Sequence, residues 1–228
     1  MVLIKEILLP NIDEFARLRI LFIESLKFMT KKILIAGAGI AGLSLARQLK
    51  KFNIPFKIIE KRTHLSTDGA GIALPANAVM ALRYIGLGNL IDQFTHQVNK
   101  IIYTDSSGNM LSEASLLEEP LNKDKFVALH RHKFHDILRE GIDDVIHFNT
   151  TIDQITQTQD NVLVQFNTES KQEEFSAIIG ADGVNSQVRQ LAFSDNTSLA
   201  DLGVTIWRCY MNLCKSSMWI KLISLWVS

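Results

Sequence analysis

Hydrophobic positions along this chain fall into short blocks of two kinds, and the kind changes abruptly at glycines. Lys32-Ile33-Leu34-Ile35-Ala36 is a continuous, Ile-rich apolar run. A block of that length and composition predicts a strand buried in a parallel sheet. Past the glycines at 37, 39 and 42 the period lengthens. Over Leu43 to Phe52 the residues Leu45, Ala46 and Leu49 share one face, which predicts an amphipathic helix. Phe56-Lys57-Ile58-Ile59 returns to strand character and ends at Glu60. Arg62 to Gly71 reads as a loop, with Ser, Thr, Asp and Gly clustered. Asn77 to Ile85 reads as a short helix stopped at Gly86, and Leu87 to Phe94 continues helically. Ile101-Ile102-Tyr103 and Met110-Leu111 flank Asp105-Ser106-Ser107-Gly108-Asn109, a hairpin signal. Arg131 to Glu140 puts Phe134, Ile137 and Leu138 on one helical face. Val145 to Phe148, Val162 to Phe166 and Phe175 to Ile179 read as strands. Strands alternating with helices predict an α/β fold with a parallel sheet, and the hairpins between them predict a partial, inserted β-rich element.

Composition narrows the function. The chain has 228 residues, enough for one or two domains and a sizeable core. Its 24 Lys+Arg balance 24 Asp+Glu, so the basic patch that nucleic acid requires is not indicated. The hydrophobic fraction of 47% is that of a globular protein. Two cysteines, Cys209 and Cys214, suit a reduced compartment, and a cytoplasmic location is expected. No apolar stretch has the length of a membrane span. Val2 to Phe28 carries Leu18, Leu21, Phe22 and Leu26 among charged residues and lacks the order of a secretory signal. It reads as an accessory extension, with an amphipathic surface helix as the alternative. His130, His132 and His135 have no acid or Cys to complete a metal site, so no metal is expected.

The turn between the first strand and helix carries the chemistry. In Gly37-Ala38-Gly39-Ile40-Ala41-Gly42 the first glycine permits a tight turn, the second lets backbone approach a diphosphate, and the third lets helix pack on strand. The N–H groups at Gly39, Ile40 and Ala41 then face an anion at a helix N-terminus. Glu60 stands about 20 residues further on, where a carboxylate accepts hydrogen bonds from a ribose. This acid, in Glu60-Lys61-Arg62, would repel a 2′-phosphate, so FAD or NAD is favoured over NADP at this position. The expected fold is therefore a Rossmann-like dinucleotide-binding domain. Its boundaries are placed at 29–195, after an extension at 1–28 and before the start of a substrate domain at 196–228.

A second motif sharpens the reading. Gly180-Ala181-Asp182-Gly183-Val184-Asn185-Ser186-Gln187-Val188-Arg189 reads locally as a strand end, a turn and a helix capped by Asn185 or Ser186. Together with the glycine turn it resembles the flavin-dependent aromatic hydroxylases, the single-component FAD monooxygenases similar to para-hydroxybenzoate and salicylate hydroxylases. The matching positions are Gly180, Ala181, Asp182, Gly183, Ser186, Val188 and Arg189. The resemblance implies FAD as cofactor, NADH or NADPH as electron donor, and a small aromatic or other electron-rich substrate that receives one oxygen atom. It assigns Asp182, and less directly Arg189, to both FAD and the nicotinamide donor. Gly69-Ala70-Gly71-Ile72-Ala73-Leu74 looks like the family's segment beside the flavin ring, and Arg131 like the arginine that meets FAD with its planar fork. Trp207-Arg208 resembles a pair in the substrate-side sheet. No residue is named as an acid–base catalyst, because the chemistry belongs to the cofactor.

The resemblance covers roughly Met29 to Arg208. The family's third motif, Gly-Asp followed by small residues and His, is not found over Leu191 to Ser228. The apolar tail from Ser216 to Ser228 does not look like the family, and a C-terminally truncated member with impaired activity is the expectation. Losing on the order of 400 Å² of apolar burial would cost about 10 kcal/mol at about 25 cal/mol per Å², which implies marginal stability and weak FAD binding. A related halogenase, reductase or epoxidase, and a non-catalytic nucleotide-binding remnant, stay open as alternatives.

Overall fold

The computed structural model describes residues 31–64, 71–119, 121–193, 203, 205–206 and 226–227. Strand β1 (Ile33–Ala36) leads through the glycine turn into helix α1 (Ile40–Lys51) and then β2 (Phe56–Ile59). There follow β3 (Gly71–Leu74), α2 (Ala76–Tyr84), α3 (Gly88–Phe94) and β4 (His96–Gln97). The hairpin β5 (Lys100–Thr104) and β6 (Met110–Ser115) comes next, then β7 (Val127–His130), α4 (Arg131–Arg139) and β8 (Ile146–His147). Strands β9 (Ile152–Gln157), β10 (Val162–Phe166), β11 (Glu173–Phe175) and β12 (Ala177–Gly180) precede α5 (Gln187–Ala192). Two short strands, β13 (Thr205–Ile206) and β14 (Trp226–Val227), pair antiparallel.

The organising unit is a four-stranded sheet in the order β12-β1-β2-β8, parallel at each pairing. All four residues of β1 are buried, because both faces of this strand are covered. Ile33 and Ile35 join a core with Leu43, Ala46 and Leu49 of α1 and Phe134, Ile137 and Leu138 of α4. Leu34 and Ala36 point the other way, into a second core with Ile152, Val164, Phe166 and Phe175 of the antiparallel sheet β11-β10-β9. The period-2 geometry of a strand thus feeds two cores from one short apolar block. The second core is tied to the parallel sheet by Lys57, which pairs with Glu173 and lies 4.6 Å over the Phe166 ring.

Several elements depart from the pattern-based reading. Helix α1 starts at Ile40, so Gly42 lies inside it. Gly71 opens a strand that pairs with His130 at the other end of β7. The expected strand over Phe175 to Ile179 is two strands in two sheets: Glu173–Phe175 pairs antiparallel with β10, and Ala177–Gly180 parallel with β1. The switch occurs at Ser176, whose N–H donates to the Lys32 carbonyl at 3.0 Å and whose hydroxyl donates to the Lys31 carbonyl at 3.0 Å. Asp143–Val145 forms a 3-10 turn, which shortens the expected strand there to Ile146–His147. Strand β9 went unread because polar residues occupy most of its exposed face. Residues 1–30, Gly69, Ala70, Trp207 and Arg208 lie outside the described residues. Among the described residues no helix is long and apolar enough to cross a membrane.

Candidate dinucleotide site

The site forms at the carboxyl ends of β1, β2 and β12, where open α/β sheets bind ligands. Register places Ala36 opposite both Ile59 and Gly180, so the glycine turn, Glu60 and the second motif emerge side by side. Backbone bonds hold them there: Gly37 N–H donates to the Ile59 carbonyl at 2.8 Å, and Ala181 N–H to the Ala36 carbonyl at 2.8 Å.

Gly37 has φ +108°, and a Cβ built on it would stand 2.4 Å from the Ala181 carbonyl oxygen. The first glycine is therefore required twice, by its backbone conformation and by the second motif packed against it. Gly42 is required by close approach, since its Cβ would stand 1.9 Å from the Gly37 carbonyl oxygen. Gly39 differs from both. Its φ of −77° and ψ of −177° suit any residue, and a Cβ there meets no protein atom within 4 Å. Only something outside the protein would exclude a side chain at Gly39.

The N-terminus of α1 leaves its first N–H groups open. Gly39 offers no capping side chain, and no acid lies in the first turn. The first bond within the helix is Leu43 N–H to the Gly39 carbonyl at 2.9 Å, so the N–H groups of Ile40 and Ala41 precede the intrahelical ladder. Ala38 N–H turns the opposite way and donates to Glu60 Oε2 at 3.0 Å. Glu60 Oε1 accepts from Arg62 N–H at 3.1 Å, while the Glu60 backbone bonds to His147 and Thr150. The acid expected to meet a ribose is thereby fixed against the turn expected to meet the diphosphate. Lys61 and Arg62 follow it and are exposed.

Arg131 lies at the first position of α4 and is exposed, and among the described residues it has no hydrogen bond or ion pair. Gly71 is brought next to it by the β3–β7 pairing. The helix that carries Arg131 is clamped from α1, because Arg47 donates to the carbonyls of Leu138 and Ile137, both at 2.8 Å. On the same helix His135 is 9% exposed, and neither ring nitrogen has a partner. Burial pushes this imidazole below the ordinary histidine range; Arg131 and Arg62 add to the push, Asp136 and Glu60 oppose it. His130 and His132 stack with centroids 5.2 Å apart, and His135 stands apart from them on the buried face. Residue spacing gave no sign of what distinguishes His135: it sits one turn after Arg131 on the face of α4 that carries the core residues Phe134 and Leu138.

Asp182 is placed beside the glycine turn, but its carboxylate faces α5. It accepts from the Ser186 hydroxyl at 2.6 Å, Gln187 N–H at 2.6 Å and Val188 N–H at 3.1 Å. Ser186 caps the same helix by accepting from Arg189 N–H at 3.0 Å, and the Arg189 guanidinium donates to the Val184 carbonyl at 2.7 Å. Both charged residues of the second motif thus shape its loop from within.

A strand-turn-helix with a fixed acid and an adjoining second glycine motif defines a dinucleotide-binding domain. The chain belongs to the family described as the FAD binding domain, whose model matches residues 30–203. It is 33% identical over 178 residues to the 2-heptyl-3-hydroxy-4(1H)-quinolone synthase of Pseudomonas aeruginosa, covering 77% of this chain and 46% of that one. It is 31% identical over 166 residues to a flavin-dependent monooxygenase of Legionella longbeachae, covering 72% and 42%. Among solved structures it superposes on Klebsiella pneumoniae HpxO, complexed with FAD and uric acid, with a TM-score of 0.61 at 26% identity, covering 79% of this chain and 44% of that one. The chain thus spans about half the length of the curated relatives it matches.

Proposed function

We propose that this chain supplies the cofactor-binding part of an FAD- and NAD(P)H-dependent monooxygenase that inserts one oxygen atom into a small aromatic or other electron-rich organic molecule. The observation that carries the reading is the open space at Gly39. A glycine with ordinary backbone angles and no protein neighbour sits at the free N-terminus of α1, beside a carboxylate held by the same turn. Gly39, Ile40 and Ala41 present N–H groups and space to the diphosphate, Gly37 and Gly42 hold the turn that aims them, and Glu60 accepts from the adenosine ribose. Lys61 and Arg62 flank that sugar, Arg131 offers its planar fork to phosphate or ribose oxygens, and Gly71 lies beside it. Asp182 holds the second motif in the shape that packs on Gly37, with its nicotinamide-side role following from the family resemblance. The chemistry supplied by bound FAD is the passage of electrons from the nicotinamide to O₂ and of one oxygen atom to the substrate. The similarity to a quinolone synthase and to HpxO, which is complexed with uric acid, favours a planar heteroaromatic substrate.

Titration of flavin fluorescence tests the reading. The wild-type chain is expected to bind FAD saturably. Gly39→Val should leave the chain folded, because nothing lies within 4 Å, and should weaken FAD at least about tenfold by filling the diphosphate space. Equal affinity of a folded Gly39→Val chain would remove the reading. FAD-stimulated oxidation of NADH or NADPH then separates a redox protein from a nucleotide-binding remnant.

A further inference from the structure

We propose that His135 is a positioning residue for this site: its neutral imidazole accepts a hydrogen bond from the Arg131 guanidinium when that fork turns onto a bound adenine dinucleotide. The inference rests on the flavoprotein reading above. Two complementary groups stand one helical turn apart on α4, and among the described residues neither has a hydrogen-bond partner. Arg131 is exposed with its donors uncommitted among the described residues. His135 is buried with both nitrogens unpaired. A buried polar atom without a partner is costly, so a bound state that supplies the partner is favoured. Side chains four apart on a helix are neighbours, and each leans toward the helix N-terminus, which aims His135 toward Arg131.

The ring cannot relieve itself by moving its helix. Arg47 of α1 holds the α4 carbonyls, and Lys133 lies 3.8 Å over the Phe94 ring of α3. The charges that act on the ring are Arg131 and Asp136 on its own helix and Glu60 and Arg62 at the end of β2. Three of these four are the residues assigned to the cofactor. An imidazole among two guanidinium groups is useful as an acceptor only while neutral, since the protonated ring has no lone pair and repels Arg131. Burial keeps it neutral below the ordinary histidine value of 6.5. A bound anion draws Arg131 inward, and the acceptor behind it fixes the fork.

The test is FAD affinity between about pH 8 and about pH 5 for wild type, His135→Gln and His135→Phe, with thermal unfolding of each FAD-free chain. The sign follows from the neutral acceptor: wild-type affinity is level at high pH and falls as acid protonates the ring below 6.5. The Gln variant keeps an acceptor that does not titrate, so it should bind within about threefold of wild type at neutral pH and lose that acid limb. The Phe variant should bind about tenfold more weakly, with the limb absent and unfolding unchanged or shifted upward, since two unpaired atoms are gone. A Phe variant that binds FAD as wild type does, with the same pH profile, would overturn the proposal and leave His135 a core residue. So would a Gln variant as weak as the Phe variant. Should the Phe variant fail to fold, the wild-type and Gln profiles decide alone. A wild-type chain that binds no FAD at any pH instead removes the flavoprotein reading, and this inference with it.

Discussion

Gly37 shows how much a single residue carries in this molecule. The spacing of the fingerprint accounts for a tight turn, and the φ of +108° agrees with that. The heavier constraint comes from Ala181, whose carbonyl oxygen would be 2.4 Å from any Cβ at position 37. Gly37→Ala is expected to cost about 2–4 kcal/mol, the sum of left-handed strain and a backbone clash, measured by urea unfolding. Gly39→Ala, at the next glycine of the turn, should cost no more than about 1 kcal/mol by the same assay, since it meets neither penalty and loses only the preference for glycine at the N-cap. The contrast between adjacent fingerprint glycines separates folding from binding. The three positions look alike in sequence; their surroundings differ because Ala181 arrives from 144 residues away by register with β12.

At the level of elements, α5 is short and depends on its N-terminus. Its six residues run from Gln187 to Ala192, and two side chains satisfy its first N–H groups. Residue type narrowed the cap to Asn185 or Ser186, and the fold assigns it to Ser186. Asp182 was not identifiable from residue type, because a carboxylate four positions ahead of a cap reaches the helix only when the intervening turn folds back. Ser186→Ala should lose about 1 kcal/mol, the ordinary worth of a cap. Asp182→Ala should lose about 1–3 kcal/mol, since it strands the donors of Gln187 and Val188 together. An Asp182→Ala chain as stable as wild type in chemical denaturation would show that Ser186 alone holds the helix. The misread segment around Ser176 belongs to this scale too. Residues 175–179 look like one strand because only Ser176 interrupts their apolar run, yet the chain changes sheets within it. A strand's partner is absent from its own periodicity, so a change of partner leaves no local trace.

For the whole molecule, the parallel sheet is stable because it is covered twice, by α1 and α4 on one face and by β9–β11 on the other. Phe166 closes the second cover, stacked edge-on to Phe175 at 6.1 Å and lying under Lys57. Phe166→Ala is expected to cost about 3–5 kcal/mol, a large part of a domain's total stability. Thermal unfolding and FAD binding should then fail together, because the second core buttresses Leu34 and Ala36 directly before the glycine turn.

The sequence by itself determined most of the strands and helices, where the glycine turn falls, that Glu60 ends the second strand, and that a cap at Asn185 or Ser186 opens α5. Those features follow from backbone geometry over a few residues, which the order of amino acids dictates. Only the tertiary structure decided that residues 177–180 pair with β1, that Ala181 presses on Gly37, that Asp182 turns to its own helix, and that His135 is buried. Each of these joins positions distant in the chain or depends on which face of an element is covered. Such contacts arise from the packing of two cores around one sheet, and no local period records them.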